Sequence, residues 1–84
     1  MNHYETKIGW CSICNQGWLE IWKTLKTSKL TIVCSECEAQ YNSPEDALRK
    51  VNPGLYSVDT DGLVTEPSIE EIIEADWQRF ILKV

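Results

Sequence analysis

Apolar and polar positions alternate most clearly over residues 17–23 (GWLEIWK). Trp18, Glu20 and Trp22 fall on one face and Leu19, Ile21 and Lys23 on the other, the period-2 pattern of a β-strand. The β-branched run at residues 30–33 (LTIV) predicts a second strand entering Cys34, and the polar stretch 24–28 suits a hairpin tip between them. Short strands are expected at Lys7–Trp10 and Ala39–Tyr41. Ser43-Pro44-Glu45-Asp46 then reads as a helix start. Ser43 is the N-cap, and Pro44 sits at the first helical position, where its missing N–H costs nothing. Asn52-Pro53-Gly54 stops that helix, and residues 55–58 and 63–65, around Asp59-Thr60-Asp61-Gly62, predict a further hairpin. Ser68 and Glu71 form a capping box. Beyond it Ile69, Ile72, Ile73, Asp76, Trp77, Phe80 and Ile81 recur at helical spacing, with Asp76 the one polar member. This stripe predicts a C-terminal amphipathic helix facing the core, with Glu70, Glu71, Glu74, Gln78 and Arg79 on its other side.

The expected class is α+β, one domain over residues 1–84, with a β-rich part at 9–43 and a helix-and-hairpin part at 44–84. No repeat, low-complexity tract or linker divides it. A chain of 84 residues buries only about 60–65% of the surface its unfolded form exposes, so its core is thin without a staple. Cys11, Cys14, Cys34 and Cys37 offer one. Residues 1–10 lack the basic-then-apolar pattern of a secretory signal, and no apolar run approaches the ~20 residues of a membrane helix. The C-terminal FILKV carries no lipidation cysteine. The expectation is a cytoplasmic protein without a membrane, where thiols stay reduced.

The cysteine spacing is Cys11-x2-Cys14-x19-Cys34-x2-Cys37. Two residues between thiolates let one tight turn present both sulfurs to one metal ion. Nineteen residues between the pairs fit two strands and a tip, which brings the second turn back beside the first. Four thiolates in a tetrahedron suit one structural Zn²⁺ at Zn–S ~2.3 Å. A thioredoxin-type CxxC would need a βαβ setting that the pattern lacks, and paired disulfides conflict with a reducing compartment. Iron is the rival metal, because the same four sulfurs accept it during expression. Rubredoxin turns carry glycine after the second cysteine of each pair; here Asn15 and Glu38 stand there. Asn15 tolerates a left-handed backbone and Glu38 does so poorly. Four ligands leave no open position for water, which argues against hydrolytic zinc chemistry. His3 reads as a terminal residue, and Glu70-Glu71 as a solvated helix face. No nucleophile–base pair or phosphate loop is evident, so a non-enzymatic protein is expected.

Charge refines the picture. The net charge is −5, with +1 on residues 1–37 and −6 on residues 38–84. Loading four thiolates with one divalent ion makes it more negative still. Such a surface repels nucleic acid over most of its area and attracts a basic protein. Trp10, Trp18, Trp22, Trp77, Tyr4, Tyr41, Tyr56 and Phe80 are candidate anchors for a partner as well as candidate core.

Residues 9–43, with GWCSIC, a hairpin and IVCSECEAQYNS, resemble the zinc-ribbon superfamily. The resemblance implies a rubredoxin-like ribbon with two CxxC knuckles and Cys11, Cys14, Cys34 and Cys37 as ligands. Nucleic-acid ribbons use the hairpin tip, and here residues 23–29 (KTLKTSK) carry Lys23, Lys26 and Lys29. The acidic tip of the transcript-cleavage ribbons is absent. Over the whole chain, the GWLEI strand, the Tyr41-x-Ser43-Pro44-Glu45-Asp46-Ala47 turn and the terminal EEIIEADWQRFI are similar to small acidic immunity proteins of polymorphic-toxin and contact-dependent growth inhibition systems. That resemblance implies an inhibitor that covers the active site of one basic toxin domain, often a nuclease. The partner-binding candidates are then Trp18, Glu20, Trp22, Asp59, Asp61, Glu70, Glu71 and Glu74. A nucleic-acid or transcription module using the lysine tip, and a rubredoxin-like electron carrier, stand as alternatives.

Overall fold

A computed structural model describes residues 6–50, 53–56 and 62–82. The longest strand organises the rest. Trp18–Thr24 (β2) pairs antiparallel with Leu30–Cys34 (β3) in the register Leu19↔Cys34, Ile21↔Ile32 and Lys23↔Leu30. Lys7–Trp10 (β1) covers the first half of the other edge of β2, with Lys7 opposite Glu20 and Trp10 opposite Trp18. Beyond β3 lie Ala39–Tyr41 (β4) and Gly54–Leu55 (β5), both antiparallel to their neighbours. Val64–Thr65 (β6) pairs with Lys23 and Thr24 of β2, beside the stretch that β1 leaves open.

The expected hairpin of residues 55–58 and 63–65 is therefore corrected. Among the described residues of its two arms, Leu55 attaches to β4 and Val64–Thr65 to β2. Seven residues of β2 exceed the four of β1, so backbone groups at Lys23 and Thr24 need another partner, and β6 supplies it. Asp59 and Asp61, with residues 57–58, lie outside the described residues.

Helix α1 spans Pro44–Arg49 and starts as expected, with the Ser43 hydroxyl accepting from the Asp46 N–H at 3.2 Å. It ends at Lys50, whose left-handed backbone (φ 58°) closes the last turn. Helix α2 spans only Ile69–Glu74, with both halves of the Ser68–Glu71 capping box formed. The expected helix through Ile81 is thus corrected: it breaks at Asp76, where φ is 61°. The Asp76 N–H donates to the Ile73 carbonyl (2.9 Å) and the Trp77 N–H to the Ile72 carbonyl (3.0 Å), the bond pair of a Schellman ending. A 3-10 turn at Gln78–Phe80 follows, and the Leu82 N–H donates to the Lys7 carbonyl at 2.8 Å, on β1.

The core lies on one face of the sheet. Ile8, Leu19, Ile21, Ile32, Cys34, Ala39 and Tyr41 meet Ala47 of α1 and Ile72 of α2 there. Only Ile72 of the C-terminal stripe is fully buried; Ile69 and Ile73 are exposed, and Trp77, Phe80 and Ile81 pack half-buried after the break. The opposite face carries a polar layer. Lys7 and Glu20 form a buried ion pair at 3.0 Å, and the Gln40 amide bonds the Thr31 hydroxyl. Among the described residues, every buried side-chain nitrogen and oxygen has a partner. The result is a mostly antiparallel sheet with two short helices among the described residues, consistent with the α+β class. The Cα radius of gyration, 11.4 Å, is near the ~12 Å of a packed chain of this length.

Candidate metal centre

Cys11, Cys14 and Cys37 sit in the two turns that join β1 to β2 and β3 to β4, and Cys34 is the last residue of β3, where the second turn begins. Pairing of Leu19 with Cys34 sets those turns side by side. In the first turn the Cys11 N–H donates to the Gly17 carbonyl (2.9 Å) and the Asn15 N–H to the Cys11 carbonyl (3.1 Å). Asn15 takes the left-handed backbone (φ 54°) that its identity favours, and its side-chain oxygen accepts from the Trp10 indole at 2.7 Å. Glu38, the corresponding residue of the second turn, is not among the described residues with positive φ. In that turn the Cys34 sulfur accepts the N–H groups of Glu36 and Cys37, both at 3.4 Å. Ser35 ties the turns together: its N–H donates to the Trp18 carbonyl (2.9 Å), and its hydroxyl accepts from the Trp18 N–H (3.0 Å).

All four sulfurs lie within 4.8 Å of one another. The Cys11–Cys37 separation is 3.7 Å and the Cys14–Cys34 separation 3.6 Å. These distances far exceed the ~2.05 Å of a disulfide, and the thiols are free. They match the ~3.8 Å edge of a tetrahedron with ~2.3 Å metal–sulfur bonds. The four sulfurs can therefore hold one metal ion between them.

Burial acts on these thiols against the local N–H groups. It raises Cys34 to about 12, only partly offset by the Cys37 and Glu36 N–H groups. It also raises Cys37. For Cys11 burial is outweighed by the N–H groups of Cys14 and Ile13 and by the Cys34 and Cys14 thiols, which bring it to about 7. A divalent cation reverses the upward shifts, because a coordinating thiol loses its proton outright.

Gly17 is a site residue that the sequence reading passed over. A Cβ there would lie 2.9 Å from the Cys34 sulfur and 2.9 Å from Cβ of Glu36, too close for any side chain. Its signal in the sequence is slight: a glycine three residues after the second cysteine of the first pair.

The partner-binding candidates scatter. Trp18 and Trp22 are half-buried on the face opposite the core. Glu20 lies between them, 8% exposed, with its carboxylate taken up by Lys7 and by the Trp22 indole at 3.4 Å. Glu70 and Glu74 are exposed on α2. Glu71 is bound to Lys23 at 2.8 Å, and that bond, with the Ser68 N–H, lowers its carboxyl to about 2. The same pair engages Lys23 of the tip; Lys26 and Lys29 are solvent-exposed. His3 and Tyr4 lie outside the described residues.

Among the described residues no helix is long and apolar enough to cross a membrane. No protein-family model, no curated protein and no solved structure matches this chain.

Proposed function

We propose that this chain is a non-enzymatic, zinc-stapled protein-binding domain of the immunity type, acting in the cytoplasm by covering the active site of a basic toxin domain. On this reading residues 9–43 form a rubredoxin-like zinc ribbon, and Zn²⁺ on Cys11, Cys14, Cys34 and Cys37 is structural. The donor set favours zinc over a tuned iron site because Glu38, where rubredoxin turns place glycine, lacks the left-handed backbone.

What supports a basic partner is the segregation of charge. The acidic half of the chain places Glu66, Glu70 and Glu74 in solvent, whereas Arg79 is occupied by Glu45 (3.5 Å) and Asp76 (3.3 Å). Charge complementarity of this kind speeds encounter and rejects acidic competitors, while affinity comes from a few desolvated anchors. The lysine tip gives nucleic acid a weaker footing once Lys23 is bound to Glu71.

The test is co-expression with the product of the gene immediately upstream. The expected result is a one-to-one complex that protects the host from that product and whose association rate falls as salt rises. A partner that is acidic, or protection that needs no complex, overturns the proposal. Elemental analysis of the purified protein is expected to return one zinc per chain.

A further inference from the structure

The sheet face opposite the core is not fully covered. A cavity of about 320 Å³ opens there, bordered by Glu20, Trp22, Val33, Glu36, Tyr56 and Val64 and by the second cysteine turn. It sits at the small end of the ~300–1,000 Å³ range of ligand pockets, room for one long side chain.

Its walls have a definite chemistry. The Trp22 ring is held by its indole bond to Glu20, and the Tyr56 ring by the bond its hydroxyl donates to the Gly62 carbonyl at 2.9 Å. Two aromatic rings thus border the cavity, and aromatic faces attract cations. The Glu20 charge is matched by Lys7. Glu36, an exposed acidic residue, borders the cavity, and no lysine or arginine is among the described residues of the wall. Cys34 and Cys37 form part of the same wall. Four thiolates around one divalent ion leave two net negative charges there. An anion would be repelled, and a neutral apolar group would strip water from Glu36 with nothing in return.

We infer that this groove seats an arginine side chain of a basic protein partner. Arginine fits better than lysine because its planar guanidinium stacks on an indole and donates a fork of N–H groups to a carboxylate. The inference rests on the protein-binding reading above and names one contact point within it.

The test uses the metal-loaded full chain, ¹⁵N-labelled, titrated with the peptide acetyl-Gly-Gly-Arg-Gly-Gly-amide and with its citrulline counterpart, the same shape without the charge. The arginine peptide is expected to bind at a Kd on the order of millimolar. It should shift the Trp22 indole N–H and the Ser35 and Glu36 amides, while the citrulline peptide leaves them in place. Glu36→Gln should weaken binding at least about threefold through loss of a charge-assisted bond. Glu45→Gln, the same charge change on α1, should not. Equal shifts from both peptides, shifts centred elsewhere, or equal effects of the two substitutions overturn the inference. The parent reading fails separately. If the co-expressed basic partner binds wild type and Glu36→Gln equally well, the groove is wrong and protein binding stands. If no basic partner binds while the arginine peptide still marks the groove, protein binding is wrong and the groove stands.

Discussion

Gly17 lies closer to a cysteine sulfur than any side chain would permit, and it shows how the centre is built from residues that are not ligands. Its carbonyl accepts the Cys11 N–H, and its missing side chain admits Cys34 and Glu36 from the neighbouring turn. Gly17→Ala is expected to destabilise the metal-loaded protein by about 1–3 kcal/mol, the usual cost of overpacking, and to weaken the metal site together with the fold. Denaturant titration of the loaded protein, paired with competition against a chromophoric chelator, measures both. Unchanged stability and affinity would mean that the second turn moves aside freely. The cysteine cluster was legible because two CxxC pairs constrain their own turns locally. Gly17 was not, because its crowding arises across strands, from residues 17 and 19 positions away in sequence.

At the scale of elements, periodicity identified β2, β3 and both helix starts, since caps and alternation act over four or five residues. It failed at α2. The apolar stripe continues at helical spacing through Ile81, yet the helix stops after Glu74 and the chain turns through Asp76. A straight helix to Ile81 would hold the apolar groups along one line. The break lets Trp77, Phe80 and Ile81 approach the core from another direction and delivers Leu82 to the backbone of Lys7. Asp76→Gly is expected to keep this ending and stabilise the protein by about 0.5–1 kcal/mol, whereas Asp76→Val should cost about 1–2 kcal/mol because a β-branched residue resists a left-handed backbone. Thermal unfolding of the two variants checks it. If Asp76→Val is the more stable, the left-handed ending is wrong.

At the scale of the molecule, the described sheet and helices bury one sheet face well and border a groove on the other. On the proposed reading, a metal ion held by the four cysteines supplements the small core. Structural zinc contributes on the order of 10 kcal/mol in small peptides at neutral pH, comparable with the ~5–15 kcal/mol stability of a whole domain. Removing the ion, or replacing Cys34 by serine, is expected to unfold the β-rich part, with loss of dispersed NMR signals that zinc restores only in the wild type. A Cys34→Ser protein with a native spectrum in the absence of metal would overturn the structural role. Loading at pH 7 should also release protons, because the buried Cys34 thiol, raised to about 12, holds its proton until the ion arrives. Binding therefore weakens as pH falls, and the proton count follows from titration in dilute buffer at several pH values.

The sequence by itself determined the four-cysteine cluster, the strand that carries the sheet, the helix caps and the charge asymmetry. Each of these is fixed by neighbours a few residues apart or by composition. Only the tertiary structure decided that Glu20 would be neutralised by Lys7 and Glu71 by Lys23, that β5 and β6 would join different strands, and that Trp22 and Tyr56 would flank one cavity beside Glu36 and the second cysteine turn. Those outcomes depend on which backbone edges and charges remain unsatisfied once β2 and β3 have paired, a condition that exists only in the assembled sheet.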